Sequence, residues 1–243
     1  MIQLTQESID FIKSISRERY PNEAVFGVIS EDEVIELTNT HEKPQEQFKV
    51  NSDSFYGAGC IALVHSHTVK RGDMGHSEMY IDPRTPSEAD MQTQMQMDIP
   101  FGILALDEET TLDIVWFPDL DSEILGQEYI SGIHDCYTLI QKYYWQKKGI
   151  KLKTVAHSAT WFENNPRLYE ENYRYGGFED SSLENIKIGD MVLIRLFHDS
   201  PTHAAVYVGN DTIWHHTANR LSHEDSLSKW VKRISKVLTY KGE

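Results

Sequence analysis

The sequence is poor in cysteine and has no long apolar run. Cys60 and Cys136 are the only cysteines among its 243 residues, too few for a secreted scaffold stapled by disulfides. We therefore predict a reducing compartment and two free thiols, although a single disulfide between them remains an alternative. Without a run of about eighteen apolar residues, the sequence predicts no transmembrane helix. The N-terminal segment also lacks the basic start and apolar core of a secretory signal.

Basic residues are scarce as well, and they are unevenly distributed. The net charge is -15, which argues against a nucleic-acid partner because phosphate binding needs a basic surface. Residues 1–125 contain 8 basic and 24 acidic residues, whereas residues 126–243 contain 15 and 14. This asymmetry indicates two units of different character. Solubility alone would also explain the acidity.

Hydrophobic periodicity predicts an α+β fold in each of two domains, which we place at residues 1–122 and 123–243. In the first domain, the pattern predicts a helix over about 5–18, a helix from Ser87 to about Met97, and strands within residues 24–30, 33–39, 60–67, 101–107 and 111–117. In the second, it predicts a helix from about Asp135 to Lys148, a loop-rich stretch over 157–185, and strands within 191–197, 202–210 and 211–217.

Cys136 occupies a position where a helix is predicted to begin. Asp135 before it is a suitable N-cap, and the apolar residues Leu139, Ile140 and Tyr143 follow at helical spacing. The positive end of the helix dipole favours a thiolate, which is how a nucleophilic cysteine is usually prepared. A lone cysteine at a helix start is more often a small buried residue than a nucleophile, so the prediction depends on its partners.

Two histidines follow at a spacing that suits catalysis. His203 opens one predicted strand and His215 lies on the next strand of a hairpin, so both side chains can share one face. His203 is then a candidate base for Cys136, and His215 a candidate for orienting the ring of His203. His216 is predicted to point the opposite way on its strand.

The segments DCYTLI, GD and HAAVYVGNDTIWH together resemble the NlpC/P60 family of cysteine peptidases, over roughly the last 110 residues. The resemblance implies a papain-like fold in which Cys136 is the nucleophile, His203 the base and His215 the third member of the triad. Tyr137 stands where the family usually has serine, and Ala205 where it usually has glycine. Neither replaces a catalytic position, so we expect these departures to alter the shape of the pocket.

A second cluster of chemically capable residues lies in the first domain. His65 and His67 end a predicted strand and project to the same side, so they can bind one zinc ion with a carboxylate from elsewhere. Ser87 and Asp90 form a Ser-x-x-Asp pattern at a helix start, which is equally a capping box without chemistry. Glu23 opens another strand and is a candidate general base.

These residues resemble the JAMM (MPN/JAB) metalloprotease domain, which has a mixed sheet. The resemblance implies Zn2+ bound by His65, His67 and Asp90, with Glu23 as base and Ser87 supporting the oxyanion. Nineteen residues, 68–86, separate the second histidine from the serine, where the family has a short interval. This insertion is expected near the metal, as a lid or a docking loop. It contains His76 and Glu78, which are alternative ligands if they are not surface residues.

A JAMM-like domain followed by an NlpC/P60 domain resembles the tail assembly proteins of lambda-like long-tailed bacteriophages. This resemblance implies assembly in the host cytoplasm, a place in the virion tail tip, other tail-tip proteins as partners, and the peptidoglycan stem peptide as substrate. Three hypotheses follow. The chain is a cysteine endopeptidase that opens the cell wall, or a structural tail-tip component whose domains are docking scaffolds, or its metal domain processes another phage protein.

Overall fold

The structure is a computed structural model that describes residues 2–70, 81–196 and 198–242. The chain divides into two compact units, residues 1–118 and 119–243, with the division four residues before the predicted boundary. His76 and Glu78, named above as alternative metal ligands, lie outside the described residues. Among the described residues, every helix falls short of the length and apolarity that a membrane span requires.

The first unit contains three helices and a five-stranded mixed sheet within its described residues. The sheet order is β2-β1-β3-β4-β5, in which only the β3–β4 pair is parallel. The elements are α1 (Gln6–Arg19), β1 (Val25–Val28), β2 (Val34–Leu37), α2 (Ser52–Gly57), β3 (Ala62–Thr68), α3 (Glu88–Met97), β4 (Phe101–Leu106) and β5 (Val115–Phe117).

Strand alternation separates the apolar core of the first unit from its polar cluster. Alternate residues such as Phe26, Val64 and Leu104 pack with Ile12 of α1 in one buried cluster. Because successive side chains of a strand point to opposite faces, the histidines at the end of β3 lie on the face away from this cluster. Burial of the apolar face thus leaves the other face free to hold ionisable groups.

The second unit is built on a six-stranded antiparallel sheet in the order β10-β9-β8-β7-β11-β6. Its elements are α4 (Cys136–Lys148), α5 (Trp161–Asn164), α6 (Leu168–Asn172), β6 (Phe178–Ser181), β7 (Met191–Ile194), β8 (His203–Gly209), β9 (Thr212–His215), β10 (His223–Ser226) and β11 (Ile234–Tyr240), together with short 3-10 turns.

Helix α4 covers one face of this sheet. Its buried residues Leu139, Ile140 and Tyr144 join Ala204 and Val206 of β8 in the larger apolar cluster of the unit. The opposite face carries a smaller cluster around Val192, Ala205 and Ile213. Packing of the helix on β8 and β9 brings the start of α4 near the start of β8, where the candidate catalytic residues occur.

Candidate active site and candidate metal centre

Cys136 is the first residue of α4, and local hydrogen bonds fix that start. The Asp135 side chain accepts from the backbone N–H groups of Tyr137 and Thr138, at 2.9 Å each, and the Thr138 hydroxyl accepts from the Asp135 N–H at 2.7 Å. This capping box satisfies donors that a helix start otherwise leaves unpaired. Gly132, at a positive φ of 77°, donates its N–H to the other Asp135 oxygen at 2.7 Å. The turn and the cap together hold the thiol in place.

Cys136 is buried, with only 8% of the residue exposed. The Tyr169 hydroxyl is 3.2 Å from the sulfur. Burial, and then the charge of Asp135, raise the pKa of Cys136 to about 12, although hydrogen bonding from Tyr169 and from the backbone of Ala204 and Tyr137 lowers it. The thiol of the closed site is therefore protonated at neutral pH.

His203 and His215 form a hydrogen-bonded pair on neighbouring strands. The register pairs Ala205 with His215, so His203 is a diagonal neighbour on the same face. Nε2 of His203 is 3.0 Å from Nδ1 of His215. His216 points elsewhere, with its Nε2 donating to the carbonyl oxygen of Arg220 at 3.0 Å. His215, and not His216, is therefore the residue in contact with His203.

Burial keeps both rings of this pair neutral. It lowers the pKa of His203 to about 3, with a further contribution from the charge of His215, and the pKa of His215 to about 4, with a further contribution from His223. Trp230 packs beside both rings, with centroid distances of 6.3 Å and 5.2 Å. A neutral His203 can accept a proton, so the pair has the protonation state of a general base.

The thiol and the histidine pair are neighbours without a hydrogen bond between them. The sulfur meets β8 at the backbone of Ala204, one residue from His203. Within the described residues, no hydrogen bond joins the Cys136 sulfur to His203. Catalytic hydrogen bonds often tighten only when substrate is bound. The arrangement has the parts for nucleophilic attack assisted by a general base, at a site that substrate must enter.

The first unit brings His65, His67 and Asp90 together. Their ligand atoms lie within 4.8 Å of one another. Nε2 of His65 is 3.1 Å from Nε2 of His67 and 3.3 Å from Asp90 Oδ1, and Nε2 of His67 is 3.4 Å from Asp90 Oδ2. Tetrahedral zinc with bonds of about 2.0–2.1 Å separates neighbouring ligand atoms by about 3.3 Å. The spacing of the donors therefore fits zinc.

The orientation of His67 also fits a metal ligand. Its Nδ1 lies 2.8 Å from the carbonyl oxygen of Pro83. Because a carbonyl oxygen can only accept, Nδ1 carries the proton and the neutral ring keeps a lone pair on Nε2. Such an outer hydrogen bond typically fixes the tautomer of a ligating histidine. Burial disfavours a charged His67, but the hydrogen bond and the charge of Asp90 outweigh this effect and raise the pKa of His67.

Glu23 and Ser87 adjoin this cluster. Glu23 is buried just before β1, where burial raises its pKa and the charges of His65 and His67 act in the opposite direction. The Ser87 hydroxyl donates to Asp90 Oδ2 at 2.7 Å and accepts from the Asp90 N–H, so Ser87 forms the capping box of α3. The Ser-x-x-Asp pattern is therefore a capping box in the structure, and its hydrogen bonds also orient the carboxylate of Asp90.

Two residues of the cysteine site, Tyr169 and Trp230, do not belong to the sequence motifs that identified Cys136, His203 and His215. Tyr169 contacts the thiol from α6, and Trp230 covers the histidine pair from the segment after β10. Both come from parts of the sequence without clear periodicity. The aromatic richness of residues 161–175 was the available signal for Tyr169.

Residues 126–239 match the model of the NlpC/P60 family. This match covers the Cys136 helix and the strands of both histidines, so the second unit contains an NlpC/P60 domain. The family model does not extend into the first unit, whose JAMM-like character remains a prediction.

Two phage proteins are similar to most of the chain. The tail tip assembly protein K of Escherichia phage lambda is 29% identical over 174 residues, which cover 71% of this chain and 78% of that protein. The protein of the same name from Escherichia phage N15 is 25% identical over 98% of this chain and 96% of its own length. A solved NLP/P60 family lipoprotein-like structure from Staphylococcus aureus is 21% identical, covering 49% of this chain and 38% of its own, with a TM-score of 0.36.

Proposed function

We propose that this chain is a phage tail-tip component whose second unit is a cysteine endopeptidase acting on peptidoglycan stem peptides. The hydrogen-bonded His203–His215 pair beside a thiol at a helix start carries this proposal. The similarity to two tail tip assembly proteins supports the virion location, with other tail-tip proteins as partners and assembly in the host cytoplasm. Local opening of the cell wall would assist infection.

The proposed reaction is acyl transfer through sulfur. His215 occupies Nε2 of His203, which leaves Nδ1 of His203 to take the thiol proton. The sulfur attacks the carbonyl carbon of the scissile amide, and His203 then gives its proton to the departing amine. Water, deprotonated by His203, hydrolyses the thioester and restores the thiol.

The test is digestion of purified peptidoglycan by the purified chain, with released peptides identified by mass spectrometry. Wild type should cut the stem peptide, and Cys136→Ala should release nothing above background. Cys60→Ala is the matched control, since it removes the other buried thiol from the first unit and should leave cleavage intact. Cleavage by Cys136→Ala at the wild-type rate, or none by wild type, would reject the proposal and favour a scaffolding role.

We propose in addition that the first unit is a JAMM-like metallopeptidase domain that binds zinc through His65, His67 and Asp90. The distances between their donor atoms, which match the spacing of ligands around tetrahedral zinc, support this proposal. Bound zinc supplies Lewis-acid chemistry at such a site. Glu23 would hold and transfer a proton there, and Ser87 would orient Asp90 while supporting a developing oxyanion. Another phage protein is the candidate substrate.

Metal content tests this second proposal independently of any activity. Wild type purified without chelator should carry about one zinc per chain, by analogy with other three-ligand sites. His67→Ala should lose most of it, whereas His41→Ala, in the same unit but outside the cluster, should retain it. Equal zinc in His67→Ala and wild type would exclude the assignment. Removal of zinc should not alter peptidoglycan cleavage, because the cysteine mechanism uses no metal.

A further inference from the structure

Within the described residues, Tyr169 is the one side chain that forms a hydrogen bond with the Cys136 thiol. Its hydroxyl is 3.2 Å from the Cys136 sulfur, within the range for a sulfur hydrogen bond. The residue lies in α6, 33 positions along the chain from the cysteine. Nothing in the family resemblance or in the motifs above assigns it a role.

Tyr169 is held against the sulfur by aromatic packing. Its ring lies 5.7 Å from Trp161 and 6.2 Å from Tyr137 in edge-to-face geometry, which is the favoured arrangement for aromatic pairs. Tyr137 is itself fixed, since its hydroxyl donates to the carbonyl oxygen of Lys153 at 2.7 Å. The hydroxyl of Tyr169 therefore meets the thiol from a supported position rather than from an unrestrained side chain.

Hydrogen bonding at the sulfur favours its charged form. Backbone hydrogen bonding from Ala204 and Tyr137 acts with the Tyr169 hydroxyl to lower the pKa of Cys136, against the larger effects of burial and of the charge of Asp135. A thiol is a weak acceptor, whereas a thiolate accepts a charge-assisted hydrogen bond from the phenol. Burial, with the nearby charges of Cys136 and Asp135, raises the pKa of Tyr169 well above its usual value. Its hydroxyl thus keeps its proton and remains a donor.

We propose that Tyr169 is a catalytic residue of the cysteine site, whose hydroxyl donates a hydrogen bond to the Cys136 sulfur as the thiol proton leaves for His203. No proton is transferred from the phenol. The hydrogen bond strengthens as negative charge develops on sulfur, so it stabilises the nucleophile more than the resting thiol. The inference rests on the proposed nucleophilic role of Cys136 and names a further residue for the same reaction.

The test measures the reactivity of each thiol against pH in Tyr169→Phe and wild type. Iodoacetamide is the probe, and mass spectrometry follows alkylation of Cys136 and Cys60 separately. Because the Cys136 thiol is protonated at neutral pH, loss of one hydrogen bond to its thiolate should lower the thiolate fraction and slow alkylation near neutral pH by about 10- to 100-fold. Cys60, in the other unit, is an internal reference whose profile should not move.

Tyr144→Phe is the matched control for loss of a buried tyrosine hydroxyl. That hydroxyl donates to the carbonyl oxygen of Gly189 at 2.6 Å and has no contact with the sulfur. Tyr144→Phe should leave the rate of Cys136 alkylation unchanged. Replacing Tyr169 with 3-fluorotyrosine, whose phenol is a stronger donor, should speed alkylation of Cys136, opposite to Tyr169→Phe. This second variant keeps the ring and its packing.

An unchanged or faster rate of Cys136 alkylation in Tyr169→Phe would overturn the proposal and show that the ring merely covers the thiol. The readout does not require peptidoglycan cleavage. If wild type fails to cleave while Tyr169→Phe slows alkylation of Cys136, the proposed function fails and the hydrogen bond stands. If wild type cleaves and Tyr169→Phe does not slow alkylation of Cys136, the function stands and the role of Tyr169 fails.

Discussion

At the scale of single residues, the role of His215 depends on its acceptor atom. Nδ1 of His215 accepts from His203 when that ring becomes protonated, given the 3.0 Å separation. An asparagine carbonyl can accept the same hydrogen bond, as in Cys-His-Asn peptidases. We therefore expect His215→Asn to keep kcat/KM for peptidoglycan within about tenfold of wild type, and His215→Leu to lower it about 10²- to 10⁴-fold.

The control for this comparison is His216→Asn. His216 neighbours His215 in the chain but pairs with the carbonyl oxygen of Arg220, so its substitution should change kcat/KM little. Equal losses in His215→Asn and His215→Leu would show that an acceptor at this position does not orient His203.

Residue spacing predicts the contact between His203 and His215 but not the contact between Tyr169 and Cys136. Two histidines on consecutive strands of a hairpin fall on one face because of the two-residue period of a strand, and the structure places them in contact. Tyr169 reaches Cys136 across 33 residues through short helices that lack an apolar stripe. Such a contact depends on how a loop closes, and no local pattern encodes it.

At the scale of elements, the cap at the start of α4 contributes to the stability of the second unit and also positions Cys136. The Asp135 side chain accepts from Gly132, Tyr137 and Thr138. Asp135→Ala removes all three acceptor contacts, so we expect the free energy of unfolding of the second unit to fall by about 1 to 2 kcal/mol. Urea unfolding followed by tryptophan fluorescence measures this, in a Trp116→Phe background because the other four tryptophans lie in the second unit.

Asn51→Ala provides a comparison at another helix start. Asn51 caps α2 through two backbone N–H groups and is exposed, so its loss should not move the transition of the second unit. If Asp135→Ala also leaves that transition unmoved, the cap does not stabilise the helix and water replaces its hydrogen bonds.

Elements with strong periodicity are predictable, and short polar ones are not. The predicted helix over about 5–18 corresponds to Gln6–Arg19, and the helix from about Asp135 corresponds to Cys136–Lys148. The strands His223–Ser226 and Phe178–Ser181 have no counterpart in the sequence predictions. Their sequences, HEDS and FEDS, lack the alternation of apolar and polar residues that predicts a strand. Pairing with a neighbouring strand, rather than propensity, makes these segments extended.

At the scale of the whole unit, buried histidines make the fold sensitive to acid. Burial is the largest cause of the lowered pKa of three residues, to about 3 for His203 and about 4 for His215 and His216. The unfolded chain binds protons on these rings near pH 6.5. The folded chain does not bind them until the pH falls to about 4, so acid favours the unfolded state between these values.

We therefore expect the free energy of unfolding of the second unit to fall as the pH is lowered from 6.5 towards 4. The slope should reach up to about 4 kcal/mol per pH unit if all three rings take up a proton on unfolding. Urea unfolding at a series of pH values, in the same Trp116→Phe background, measures this slope. His216→Gln keeps a side-chain donor but removes one titrating ring, so it should reduce the slope by about a third. A slope that His216→Gln leaves intact would place the acid sensitivity between pH 6.5 and 4 in groups other than His216.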